Sequence, residues 1–192
     1  DNGALLKRYR NGKDLTDRPR DVLVIDTFGL SHDDLRANYP HTWQWLHGKV
    51  KPHRDQNPRK SRRDNWWLFG ETQPRLRASL FVLAHYIATC QTAKHRVFQF
   101  LDGNILPDDK LIAVAIPDAF VLGVLSSRVH VEWALAAGAT LEDRPVYNKT
   151  ECFDAFPFPA ASPEQQTRIA ALAEQLDLSL IHISTPTRLL SI

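Results

Sequence analysis

The chain has 192 residues, of which 43% are hydrophobic and 24% charged, the make-up of an ordinary folded domain. That excludes a disordered tail, a collagen-like fibre and a disulfide-stapled miniprotein, and no run approaches the ~18 apolar residues of a membrane span. No methionine occurs anywhere, so an internal piece of a longer chain is expected rather than a complete one. The first strand expected is DVLVIDTF (21–28), β-branched, apolar and preceded by Pro19. Ser31 then reads as the N-cap of a short helix with Asp33 and Asp34 at its positive end. A second helix after Pro40 puts Trp43, Leu46 and Val50 on one face and stops near Pro52. Pro74 opens another, through Leu76 and Leu80.

Three strands follow: YIAT (86–89), HRVFQFL (95–101) and LIAVAI (111–116), the second and third separated by a turn at Asp102-Gly103-Asn104. Pro117-Asp118 starts a long apolar helix that runs to Gly138 as its C′ residue. Residues 139–159 read as irregular, since Pro157 and Pro159 permit only extended or edge structure. The last helix carries a capping box, with Ser162 as N-cap, Pro163 at N1 and Gln165 at N3, and an apolar stripe of Ile169, Leu172 and Leu176. The fold class expected is mixed α/β of the α+β kind, a twisted mixed sheet with flanking helices and a C-terminal helix. Cys90 and Cys152 lack a partner-like spacing and are expected as thiols in a reducing cytoplasm rather than as one long-range disulfide.

The charge is unevenly placed. Residues 1–96 hold 18 Lys and Arg against 10 Asp and Glu, whereas residues 97–192 hold 6 against 12. The densest stretch, KPHRDQNPRKSRRD (51–64), has six basic and two acidic side chains and is followed at once by Trp66-Trp67-Leu68-Phe69. Such a block suits a polyanion, because each phosphate neutralised releases condensed counterions; it equally suits a solvated loop. The tryptophans can anchor it on a core or stack on unpaired bases, and anchoring is the more common use.

No self-contained active site is legible. A glycine-rich phosphate cradle, HExxH, a CxxC pair and GxSxG are all missing, and the histidines lack metal-ligand spacing. Asp108-Asp109-Lys110 reads as a hairpin connection rather than a nuclease metal site. Neither catalytic nor metal-binding residues are expected.

Six segments recur together, in this order, in one family: NGKDL (11–15), VIDTFGL (24–30), VKPHRDQNPRKSRRDNWWLFGE (50–71), YIATCQTAKHRVFQFL (86–101), LGVLSSRVHVEWALAAG (122–138) and YNKTECFDAFPFP (147–159). Over about residues 10–177 the chain resembles the target-recognition region of the Mme-type, type IIL restriction–modification DNA methyltransferases. The resemblance implies double-stranded DNA as partner, together with an upstream methyltransferase domain of the same parent chain in a bacterial cytoplasm. That domain would use S-adenosylmethionine to methylate adenine N6. No cofactor is implied for this piece, in which the family's (N/D)PP(Y/F) motif is missing and Asn57-Pro58-Arg59 does not supply it.

Under the resemblance, Lys51, Arg54, Arg59, Lys60, Arg62 and Arg63 hold phosphates, and Lys94, His95 and Arg96 form a second phosphate contact. Ser126, Ser127, Arg128 and His130 contact backbone or bases from a helix terminus, although His130 also reads as a core histidine. Glu142, Asp143 and Arg144 are the candidate base readers: Arg pairs bidentately with guanine, and a carboxylate accepts from cytosine. The trio also reads as a plain turn. The domains expected are 1–159 for recognition, 160–177 for a C-terminal helix, and 178–192 as a tail resembling translated sequencing adapter. Two alternatives stay open, an RNA- or single-strand-binding module and the recognition or scaffold region of a multi-protein phage-defence methyltransferase.

Overall fold

The computed structural model describes residues 2–17 and 19–184. They form two compact units, one of the residues up to Arg8 with Leu23–Arg77, the other of Tyr9–Val22 with the chain from Ala78 onward. The class is α+β, with the strands divided among small sheets rather than gathered in one.

In the first unit a 3-10 turn, Asn2–Leu5, leads into β1 (Leu6–Arg10). Leu6, Lys7 and Arg8 pair antiparallel with Ile25, Val24 and Leu23 of β2 (Leu23–Ile25), and α1 (Gly12–Thr16), which lies between them in sequence, belongs to the second unit. The buried strand expected over 21–28 is therefore three residues long, and Leu23 is 54% exposed. Asp26 ends it by turning its carboxylate inward to Arg77. Ser31 caps α2 (His32–Asn38): its hydroxyl accepts from the Asp34 N–H at 3.1 Å and donates to the Asp34 carboxylate at 2.6 Å.

Pro40 takes the first position of α3 (Pro40–Lys49). The helix stops at Lys49, near Pro52 as expected, and Pro52 falls in the first turn of the next helix, α4 (Lys51–Asp55), where its missing N–H has no helical partner to lose. A further helix, α5 (Lys60–Asp64), makes most of the basic block helical rather than a loop. Then α6 (Pro74–Leu80) starts at Pro74 as expected. The core of this unit is Leu5, Leu35, Leu46 and Trp66, flanked by Trp43 and Trp67.

The second unit is built on β3 (His85–Cys90), paired antiparallel with β4 (Gln99–Asp102) on one side and with β6 (Leu111–Val114) on the other. β5 (Leu106–Pro107) pairs in parallel with Tyr9 and Arg10. The expected long apolar helix is two, α7 (Ala119–Ser126) and α8 (Arg128–Ala137), bent by 61°. Ser127 makes the break: it is extended, and its hydroxyl caps α8 by accepting from the His130 N–H at 3.2 Å. Gly138 is also extended, not left-handed as a C′ glycine would be. A Cβ there would lie 2.6 Å from the Val146 carbonyl oxygen, so close backbone approach is what requires glycine.

The stretch expected to be irregular contains a hairpin, β7 (Ala139–Leu141) with β8 (Arg144–Val146), then one π-helical turn at Lys149–Asp154. The Ser162–Gln165 capping box forms as expected at the start of α9 (Pro163–Ser184). This helix runs seven residues beyond position 177, so 178–184 continue it; 185–192 lie outside the described residues. Its packing face also departs from expectation: Leu172 and Leu176 are exposed, while Ile169 and Ala173 meet α7 at Gly123. A Cβ on Gly123 would come within 2.5 Å of Ile169, and small residues let the two helices approach. Asp177 is buried on the same row and accepts the Phe100 N–H at 2.9 Å. Ile87, Phe98, Leu122, Leu125 and Tyr147 fill this unit's core, and both cysteines are buried free thiols, as expected. Among the described residues no single helix is long and apolar enough to cross a membrane.

Candidate nucleic-acid interface

The basic block folds back on its own unit. Arg54 donates to the Leu68 carbonyl at 3.2 Å, and Arg63 to those of Asn57 and Pro58 at 2.7 and 3.0 Å, so both brace the turns around α4 and α5. Lys51 pairs with Asp55 and Lys60 with Asp64, one helical turn on. Arg59 and Arg62 share Glu71, each at 3.2 Å. The tryptophans are anchors: Trp66 is buried, and the Trp67 indole N–H donates to the Leu30 carbonyl at 3.0 Å. Arg59 and Lys60 remain well exposed, so these two, more than Arg54 and Arg63, present charge outward.

In the second unit the expected phosphate trio is divided. Lys94 and His95 are exposed, but Arg96 is turned inward. Its guanidinium hydrogen-bonds the carbonyls of Cys90 and Pro145 and the Thr89 hydroxyl, and lies 5.1 Å from the centre of the Tyr147 ring. Those contacts also explain why β4 begins at Gln99 rather than at His95. Arg96 thus fastens the segment after β3 to the β7–β8 hairpin, helped by the Ala93 N–H to the Pro145 carbonyl at 3.3 Å and the Tyr147 N–H to the Gln91 carbonyl at 2.7 Å.

His130 is fully buried and cannot reach a nucleic acid. Its Nε2 meets the Tyr147 hydroxyl at 3.0 Å, and its Nδ1 has no hydrogen-bond partner among the described residues. Burial, with Arg96 nearby, lowers its pKa from 6.5 to about 4. Between those values the unfolded chain binds a proton that the native state refuses, so stability falls as pH drops through that window. The loss expected from this group is about 3 kcal/mol in total. Urea unfolding of the chain and of His130→Gln at pH 7 and pH 5 checks it; equal pH dependence in both would refute the assignment. Ser126 has its hydroxyl buried and Ser127 uses its own as a cap, leaving Arg128 as the exposed member of that group.

Glu142 and Asp143 form the two-residue loop of the hairpin, with a left-handed φ of 57° at Glu142. Glu142 and Asp143 are 75% and 85% exposed and Arg144 is half-exposed, held at 3.1 Å by Glu142 and 3.8 Å by Asp143. The trio is a turn, as one of the two readings had it, and it offers a guanidinium and two carboxylates to solvent on a strand pair tied to the unit's sheet.

Arg144 also lines an open cleft of about 790 Å³ with Lys13, Lys94 and His95. Lys13 escaped the sequence reading as a site residue, because nothing in NGKDL marks which way α1 faces. The helix is pinned by its ends. Asn11 and Asp14 form a capping box, buried Asp14 takes a bidentate pair from Arg20 at 2.9 Å, and Gln99 donates to the Leu15 carbonyl at 3.3 Å. That guanidinium holds the Asp14 carboxyl well below the usual carboxylate range. The Cys90 thiol donates to the Gly12 carbonyl at 3.4 Å, which leaves Lys13 on the open side. Among the described residues no cluster of metal-type ligands forms.

An α+β domain with an exposed charged hairpin beside a basic cleft has the surface of a recognition module. The family model described as MmeI, target recognition domain, matches residues 32–160, about two thirds of the chain, and the chain belongs to that family. Among solved structures it is similar to the Type IIL restriction-modification enzyme MmeI in complex with DNA, at 18% identity and a TM-score of 0.77. That match covers 97% of this chain and 24% of the enzyme, so the chain spans about a quarter of the length of the structure it resembles. No curated protein matches it.

Proposed function

We propose that this chain reads a specific sequence in double-stranded DNA for a type IIL restriction–modification enzyme of which it is the recognition domain, residues 1–159 forming that domain. The parent's methyltransferase domain would carry S-adenosylmethionine-dependent methylation of adenine N6. One observation carries the proposal: in a chain of the target-recognition family, Glu142 and Arg144 stand exposed at the tip of a braced hairpin. A guanidinium and a carboxylate so held suit a guanine and a cytosine edge. Arg59, Lys60 and Arg128 would touch phosphates, which set register without reading sequence. With Trp66 buried and the Trp67 N–H satisfied, the pair offers no stacking platform, which disfavours the single-strand alternative.

Selection of bound sites from a randomised duplex pool, followed by anisotropy titration, tests the reading. Arg144→Ala is expected to lose about 1–3 kcal/mol of discrimination at one base pair. Arg59→Ala should weaken all sequences alike and lower the salt slope by about 0.9. Identical effects of the two variants would refute the division of roles, and a selection yielding no preferred sequence would refute the function.

A further inference from the structure

We propose that the cleft beside the hairpin is a phosphodiester clamp, in which Lys13, Lys94 and His95 hold the sugar–phosphate backbone of the duplex whose bases meet Arg144. The proposal rests on the DNA-recognition reading above and adds a site, with Lys13 as a contact.

Charge is the first ground. All six cations of the block in the first unit are engaged by carboxylates or carbonyls of that unit. The side chains of Lys13, Lys94 and His95 have no ion pair among the described residues, yet they converge with Arg144 on one concave surface, where Asp17 is the single acidic lining residue. Arg144 is already held by Glu142 and Asp143, but Lys13 and Lys94 add two more positive charges that have no ion pair among the described residues, and a polyanion in the cleft removes their repulsion.

Shape is the second. The lining between the cations is apolar, with Leu15, Ala93 and Val97, which suits deoxyribose carbons while the rim meets the phosphate oxygens. Rigidity is the third. Lys13 rides on a helix held at both ends, and Lys94 and His95 precede Arg96, whose guanidinium ties their segment to the strand that carries Arg144. Phosphate held here would be at a set distance from the base edges that Arg144 meets, which is how backbone contacts give register to base contacts.

The test uses the 192-residue chain and its selected duplex. Anisotropy titrations over 50–300 mM salt compare the wild type with Lys13→Gln/Lys94→Gln, two exposed positions whose loss leaves the core intact. The salt slope is expected to fall by about 1.8, for two phosphate contacts, with the ratio of best to mismatched site unchanged. In parallel, amine-reactive labelling of the wild-type chain, read by mass spectrometry, should show at least fivefold protection of Lys13 and Lys94 by the duplex, with Lys110 unprotected. A wild type that binds its site while the double variant keeps the full slope, or while both lysines label freely, overturns the clamp and leaves recognition standing. A wild type that binds no duplex overturns the recognition reading and the clamp with it.

Discussion

Asp26→Ala is expected to destabilise the chain by about 3–5 kcal/mol, the largest effect of any single substitution of a charged residue. Asp26 and Arg77 meet at 2.7 Å with side chains 6% and 11% exposed, and the guanidinium also lies 4.6 Å from the centre of the Phe28 ring. Removing the carboxylate leaves a largely buried guanidinium without its counter-charge, and its desolvation is then uncompensated. Taking away both charges is different: Asp26→Leu with Arg77→Met should recover most of the loss, because two buried ions are replaced by apolar volume. Urea unfolding followed by tryptophan fluorescence reads this unit directly, since Trp66 and Trp67 belong to its core. A loss under 1 kcal/mol for Asp26→Ala would show that the pair does not hold the unit together.

Arg96→Ala is expected to cost about 3 kcal/mol and to loosen the hairpin that carries Glu142 and Arg144. The guanidinium serves the carbonyls of Cys90 and Pro145, and a partly buried carbonyl stripped of a charged donor loses about 1–3 kcal/mol. Arg96→Lys should rescue little, because one ammonium cannot span acceptors on two segments as a planar fork does. Faster amide exchange at Ala93 and Tyr147, whose N–H groups bond within the same tie, is the accompanying signature. Base discrimination should fall as well, although the Arg96 guanidinium is itself turned inward onto protein carbonyls. Unchanged exchange at both amides would remove Arg96 from its bracing role.

Local chemistry was the legible part of the fold. Ser31, Pro40, Pro74 and the Ser162–Gln165 box each start a helix where expected, because a cap or an N1 proline acts within three or four residues. β3 and β6 were legible as apolar, β-branched runs, since burial on both faces leaves that mark. Boundaries that depend on distant partners were not. The long helix breaks at Ser127 where its hydroxyl becomes a cap, and the face of α9 is chosen by the room at Gly123 rather than by its leucines.

The candidate site divides in the same way. From the sequence alone came the family, through six ordered segments, the class of the fold, the position of the basic block and the Glu142–Arg144 pair. Which arginines face outward was decided only by the tertiary structure. Arg54, Arg63, Arg77 and Arg96 are spent on carbonyls and a carboxylate, and His130 on a tyrosine, whereas Lys13, never marked by its neighbours, lies open in the cleft. The reason is physical. A charged side chain carries the same composition whether it meets solvent or a buried acceptor, and the choice rests on partners supplied from up to about fifty residues away, such as Asp26 for Arg77 and Pro145 for Arg96.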